Sequence, residues 1–196
     1  MAKGFNLTSP AHITGIDHTH HFIADTHFGH TGILDQAARP QPDIESHDRS
    51  IIANWNARVR PTDTVWHLGD FAGEDVAFDY VASVFRKLNG RKRLIVGNHD
   101  GDEVRAKLPW ESVDEVRTIL APGCKIVLCH YPFREWNGYY GGDLHFHGHS
   151  HDRLPSSRQS WDCGVDKQDF SPMTFATIKA RMAKLPIWNF EGSPAS

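Results

Sequence analysis

The chain has 196 residues and a net charge of −3, with 21 Lys and Arg against 24 Asp and Glu, which predicts one domain spanning residues 1–196. Hydrophobic residues at 39 % and charged residues at 23 % belong to an ordinary globular composition and exclude disordered, collagenous and membrane classes. The charge balance excludes a general electrostatic nucleic-acid binder, whose footprint is a basic face. Histidine is the abnormal count, 14 of 196, and it is the commonest metal ligand. Cys124, Cys129 and Cys163 are odd in number and lack C-x-x-C spacing, so neither a disulfide framework nor a thiolate zinc site is indicated. The start shows no signal-type apolar run, and no stretch approaches the roughly 20 apolar residues of a membrane span. A cytoplasmic protein without a membrane partner is expected.

The first expected element is a short buried strand, His20 to Ala24, ending at Asp25. After the Arg39-Pro40-Gln41-Pro42 loop, Asp43 is placed to cap a helix in which Ile44, Ile51, Ile52, Trp55 and Val59 share one face; it stops before Pro61. A second strand, Thr64 to Leu68, runs into Gly69-Asp70. A helix with Ala77, Tyr80, Val81, Val84, Phe85 and Leu88 on one face follows, opened by Glu74 and Asp75 and closed by Arg86 and Lys87 to suit its dipole. A third strand, Arg93 to Val96, ends at Gly97-Asn98-His99-Asp100. Strand, helix, strand, helix, strand implies right-handed parallel units.

The second half reads as strands at Val113 to Leu120, Lys125 to Cys129, Asp143 to His147 and Ser160 to Val165, with a Pro122-Gly123 turn and antiparallel pairing expected. A last helix is expected to begin with Ser171 as N-cap and Pro172 in its first turn, burying Phe175, Ile178, Met182 and Leu185, and Ile187 to Phe190 reads as a terminal strand. Residues 1–15 and 191–196 are expected to be peripheral.

Polar ligand-type residues follow the strands: Asp25 and His27, Asp70, Asn98 with His99, His130, then His149 and His151. In open α/β sheets the carboxyl ends of the strands form the ligand crevice, so these residues converge. Gly69, Gly97 and Gly148 precede ligands, where a missing Cβ permits a sharp turn or close approach. The mixed N/O donor set suits Mn, Fe, Zn or a similar ion and not a calcium cage. Asp25, His27, Asp70, Asn98, His130, His149 and His151, seven ligands, exceed what one catalytic ion takes; two ions sharing a carboxylate account for the surplus.

In this order, Asp25-x-His27, Gly69-Asp70, Gly97-Asn98-His99-Asp100, His130 and Gly148-His149-x-His151 resemble the calcineurin-like metallophosphoesterase family from about Phe22 to Asp166. Asp25-Thr26-His27-Phe28-Gly29-His30, Asn54-Trp55-Asn56 and His130-Tyr131-Pro132 look like a small bacterial or phage-type branch. The resemblance implies an α/β fold bordering on α+β, a four-layer α-β-β-α sandwich with two mixed sheets. It implies two divalent transition-metal ions, Mn first, with Fe, Zn, Ni or Co as alternatives. One ion takes Asp25, His27, Asp70 and His151; the other takes Asp70, Asn98, His130 and His149, with Asp70 bridging. The resemblance further implies that a metal-bridging hydroxide would attack phosphorus in line and that His99 would hold the phosphoryl group and protonate the departing oxygen. The acid that orients this histidine in many relatives is replaced by Gly73, leaving Asp100, Glu74, Asp75 or the backbone as candidates.

Other histidines carry no ligand expectation: His12, His18, His20 and His21 lie early, and His67, His145 and His147 suit packing or support of the ligands. The basic cluster Arg86, Lys87, Arg91, Lys92 and Arg93 enters the third strand at the end opposite the crevice. Arg134 and Arg39 lie in loops able to reach it, where a guanidinium can clamp phosphate. Tyr131, Trp136, Tyr139 and Tyr140, among Gly138, Gly141 and Gly142, form an aromatic loop suited to a substrate wall. Asn98 is also placed at the substrate. No separate cap domain fits between the motifs, so the cleft is open, and phosphodiesters, nucleotide-type or cyclic ones included, are expected to be hydrolysed at least as well as phosphomonoesters. The partner is a small-molecule phosphate ester; the oligomeric state is left open. The rival reading is an interaction or metal-binding module on the same fold without turnover.

Overall fold

In chain order the elements of the computed structural model, which describes residues 15–188, are β1 (His20–Ile23), α1 (Ile33–Gln36), α2 (Ile44–Arg58), β2 (Thr64–His67), α3 (Phe78–Lys87), β3 (Arg91–Ile95), α4 (Asp102–Lys107), β4 (Val113–Asp114), β5 (Val116–Ala121), β6 (Cys124–Cys129), β7 (Leu144–His147), β8 (Ser160–Asp162), β9 (Met173–Thr174) and α5 (Phe175–Met182). The peripheral segments expected at 1–15 and 191–196 lie outside it except for Gly15, which bridges to Leu120. Two sheets form, in the orders β4-β3-β2-β1-β9 and β5-β6-β7-β8. In the first, β1, β2, β3 and β4 are parallel and β9 runs antiparallel to β1. Both sheets are mixed, and the α/β class holds. Among the described residues no helix is long and apolar enough to cross a membrane.

The antiparallel reading of the second half holds only for the β5–β6 hairpin; β6–β7 and β7–β8 are parallel. The connections 130–143 and 148–159 are each long enough for the crossover a parallel return requires. Their consequence is functional, because parallel strands bring the ends of β6, β7 and β8 to one edge. The expected strand Val113 to Leu120 is two strands: β4 pairs with β3, then Val116 begins β5 in the other sheet. A single apolar run cannot show that the chain changes sheets within it.

Asp43 caps α2 through its carboxylate, which accepts from Ser46 N–H. Ile51 and Trp55 of α2, Val81, Val84 and Phe85 of α3 and Val104 of α4 close a core against the outer face of the first sheet. A second core fills the space between the sheets, where Phe22 meets Phe146 edge-to-face with centroids 5.1 Å apart; truncating either ring would cost about 3–5 kcal/mol. On the far face of the second sheet His145 stacks against Phe133 of the aromatic loop, which carries one 3-10 turn at Tyr139–Gly141. The final helix differs from its expected start: Met173 and Thr174 pair with β1, and Thr174, not Ser171, caps α5 by accepting from Thr177 N–H. Phe175, Ile178 and Met182 are buried as expected, while Leu185 lies beyond the helix, partly buried. The terminal strand expected at Ile187 to Phe190 extends outside the described residues. All three cysteines are free thiols.

Candidate metal centre

The turns after β1 and β2 remain stitched together past the strands: Asp25 N–H donates to Gly69 O, His27 N–H to Asp70 O and Phe28 N–H to Phe71 O, each at 3.0 Å. Across the sheets, His130 Nδ1–H donates to Leu68 O at 2.7 Å and His149 N–H donates to the Asp25 carboxylate at 3.0 Å. Five of the seven expected ligands, Asp25, His27, Asp70, His149 and His151, sit at positive φ between 46° and 65°. Such left-handed residues cost about 1–3 kcal/mol each and cluster where geometry serves function. Two glycines make the approach possible. Gly69 has φ +92°, and a Cβ there would lie 2.5 Å from His130 Nδ1; at Gly97 a Cβ would run into the Asp70 carboxylate.

The ligand atoms gather in overlapping groups, each within 4.8 Å: Asp25, His27 and His151; His27, Asp70 and His99; Asp70, His130 and His149. One oxygen, Asp70 Oδ2, is 3.5 Å from His27 Nε2 and 3.3 Å from His130 Nε2. Asn98 Oδ1 is 3.2 Å from His130 Nε2. All seven expected ligands are therefore brought together, and Asp70 stands between the two groups.

These residues fit cations on their own chemistry. His27 Nε2 is buried without a hydrogen-bond partner, which is costly unless something electrophilic faces it. Burial, with the nearby charge of Asp162, pushes the Asp25 carboxyl up to about 7. Burial opposes charge on His130, but its hydrogen bond to Asp70 and the charges of Asp25 and Asp70 raise it to about 9. Burial also opposes charge on Asp70, yet its hydrogen bond with His130, the charges of His130 and His27 and the His99 N–H hold its carboxyl below the usual range.

Asp100 does not reach the His99 ring. Its buried carboxylate accepts the N–H groups of Asp70, Phe71 and Gly97 at 2.8–2.9 Å and so fixes the turn that carries Asp70; burial outweighs these bonds and raises it to about 6. The carboxylate beside His99 is Glu74, with Oε1 3.5 Å from Nδ1, too long for a strong hydrogen bond. Gly73 has a steric reason: a Cβ there would lie 2.7 Å from His30 Cβ. His30 fills that space, its Nδ1 3.2 Å from His27 Nδ1 and its ring centroid 5.7 Å from that of His99.

Arg39 is not a crevice residue, contrary to expectation. Its guanidinium is buried and all five donors are taken: Nε and Nη2 by Asp166 at 2.9 Å, Nη2 by Asp25 O, and Nη1 by Thr26 O and His47 Nε2. Asp166 in turn accepts from His151 Nδ1–H at 2.8 Å, while His47 Nδ1–H donates to Asp48, which also accepts from Tyr80 OH and Gly29 N–H. Tyr131 packs edge-on against His149 and His130, and Arg134 lies in a neighbouring cavity with Trp136 and Tyr139. The basic cluster stays at the opposite edge, where Arg91 and Arg93 pair with Glu111.

Asp166, Asp162, His47 and Asp48 were not singled out by sequence reasoning. Asp162 is wholly buried and accepts from Ser150 OH, Asp152 N–H and Gly164 N–H, fixing the turn that carries His149 and His151. The signal for Asp162 and Asp166 is the one that marks Asp25 and Asp70, a carboxylate at the end of a strand. For Asp48 it is a charge on the same helix face as Ile51 and Trp55.

The family model of the calcineurin-like phosphoesterase superfamily domain matches residues 19–163. The chain is 29 % identical to the uncharacterized protein MJ1445 of Methanocaldococcus jannaschii over 81 % of this chain and 88 % of that one. It is 30 % identical to the Gene 66 protein of Mycobacterium phage D29 over 68 % of this chain and 78 % of the relative. Among solved structures, a protein of unknown function, AQ665 from Aquifex aeolicus, aligns with a TM-score of 0.65 and 25 % identity, covering 83 % of this chain and 98 % of that one.

Proposed function

The chain belongs to the calcineurin-like phosphoesterase superfamily of metal-dependent phosphoesterases, and from that premise we propose that it is a dinuclear phosphoesterase that accepts phosphodiesters at least as well as monoesters. The observation that carries the dinuclear reading is the position of Asp70 Oδ2 between His27 Nε2 and His130 Nε2. Asp25, His27, His151 and Asp70 would hold one divalent ion, and Asp70, Asn98, His130 and His149 the other. The mixed N/O donor set suits Mn²⁺, Fe, Zn, Ni or Co, and the sequence resemblance puts Mn²⁺ first. When bound, divalent cations there supply Lewis acidity, drawing charge from a phosphoryl group and lowering the pKa of water.

The protein's own residues contribute orientation and protons. His99 is anchored by its N–H on Asp70 Oδ1 at 2.9 Å, with its ring 5.0 Å from that of His27 and partly open to solvent. From there it holds a phosphoryl oxygen and gives a proton to the departing alkoxide, and Glu74 keeps its Nδ1 side negative. Asp100 and Asp162 hold the ligand turns from behind, so the geometry exists before substrate arrives. Tyr131, Asn98 and Arg134 form the substrate side, and the substrate is a small phosphate ester of nucleotide type, met in the cytoplasm. The test compares bis-nitrophenyl phosphate with nitrophenyl phosphate after the stripped protein is reloaded with each metal. Diester turnover at or above monoester turnover is expected; monoester turnover alone would contradict the diester preference.

A further inference from the structure

A cavity of about 320 Å³ lies against the far face of the second sheet, beside the turns that carry the metal ligands; small-molecule sites run roughly 300–1,000 Å³. Phe133, Trp136, Tyr139 and Trp188 give it an aromatic wall, and Arg134 and His147 contribute its nitrogen groups. Two ligand-bearing turns, the one after His130 and the one that carries His149 and His151, build it. Phe133 and Arg134 follow His130 closely in the chain, His147 immediately precedes Gly148-His149, and Leu154 follows His151.

The walls are fixed by their own hydrogen bonds. Trp136 Nε1–H donates to Asp143 O at 3.0 Å, Tyr139 OH to Trp188 O at 2.9 Å, and the Gln159 amide to Tyr139 O at 2.8 Å. Trp136 and Tyr139 meet edge-to-face at 4.9 Å. Such a preformed wall lowers the ordering cost of binding.

His147 gives the cavity its specificity. The residue is only 3 % exposed, and its Nδ1–H donates to Gly148 O at 2.9 Å, which leaves Nε2 as a lone-pair acceptor. Among the described residues Nε2 has no hydrogen-bond partner, and His147 lines the cavity. An acceptor at the wall of an aromatic cavity selects a planar ring with an N–H donor on its edge, because the face stacks while the edge fills the acceptor.

We propose that this cavity binds the base of a nucleotide-type ester, an amino-substituted heterocycle such as adenine or cytosine whose exocyclic amine donates to His147 Nε2. The inference rests on the phosphoesterase reading, since the base would be held here while the phosphate lies toward the ligand turns.

Adenosine, which has no phosphate, tests the cavity apart from the chemistry. Titrated into the full-length, metal-stripped protein, it should quench tryptophan fluorescence saturably through Trp136 and Trp188. Purine riboside, which lacks the amine and is no larger, should bind at least tenfold more weakly. Leu154→Trp, at an exposed rim position, should weaken adenosine at least tenfold. In the Mn²⁺-loaded enzyme it should raise KM for an adenosine-bearing diester tenfold and leave nitrophenyl phosphate turnover within twofold. Absence of adenosine binding in a protein that hydrolyses nitrophenyl esters would overturn the cavity assignment alone, and so would equal affinity for the two nucleosides. Selective adenosine binding by a protein inert toward every ester with every divalent ion would support the cavity and contradict the phosphoesterase reading.

Discussion

The Asp166 carboxylate accepts a hydrogen bond from His151 Nδ1–H at 2.8 Å, leaving Nε2 of that ring as the nitrogen available to an ion. A carboxylate behind a ligating imidazole fixes its tautomer and raises its basicity, and its loss typically costs 10–100-fold in metal affinity. Asp166→Asn should therefore weaken Mn²⁺ binding about tenfold or more by calorimetry; unchanged affinity would remove Asp166 from the support of the site.

Arg39 is the other partner of that carboxylate. A lysine offers three donors where the site takes five from a planar fork, so Arg39→Lys should destabilise the fold, and Arg39→Ala, which also leaves Asp166 without its buried cation, should cost about 3–5 kcal/mol. Chemical denaturation measures it. Wild-type stability combined with a raised KM would restore the guanidinium to the substrate.

His99→Ala should leave both ions bound and lower turnover most for esters with poor leaving groups, because nitrophenolate needs little protonation. Glu74→Gln should reproduce a smaller part of the same dependence. Metal loading by elemental analysis, with rates across a series of phenyl esters, separates these roles from ligation. Loss of metal in His99→Ala would make it a ligand. Gly73→Asp should not improve the enzyme, since the new Cβ meets His30 at 2.7 Å; a lowered Tm is expected.

Metal affinity should rise with pH. In the metal-free protein Asp25 is pushed up to about 7 and His130 to about 9, both above their ordinary values of 3.8 and 6.5. Groups raised in this way stabilise the fold while protonated, and that stability is lost as pH climbs through those values. Buried His67 and His145, driven down to about 3 chiefly by burial, act in the opposite sense, but only below about pH 6.5. The stripped protein should therefore lose thermal stability from pH 7 to 9, while the gain in Tm from Mn²⁺ widens, because ions bind the deprotonated ligands. A gain that shrinks with pH would contradict these assignments.

The strand ends were the legible part of the sequence. Asp25, Asp70, Asn98 and His130 each follow an apolar run, so periodicity alone brings them to one edge, and the order of motifs supplies the family. What stayed hidden depends on contacts between distant segments. Arg39 reads as a loop cation until Asp166, far along the chain, is seen to take its fork. The direction of β7 depends on the crossover that precedes it, and alternation along a strand is the same in either direction. The Thr174 cap was missed because Ser171-Pro172 is a sound local signal, overridden when Met173 and Thr174 pair with β1. His147 reads as packing because only the folded loop places aromatic rings around it.

The central claim is that two divalent ions share Asp70 in a phosphoesterase site. Its most direct measurement is the stoichiometry of Mn²⁺ binding to wild type and Asp70→Asn, taken with hydrolysis of bis-nitrophenyl phosphate on the same samples. Two ions per chain and turnover are expected in wild type, with weakened binding of both ions and activity down by orders of magnitude in Asp70→Asn. A single ion in wild type, or a variant that loses one ion and keeps the other at full affinity, would contradict it.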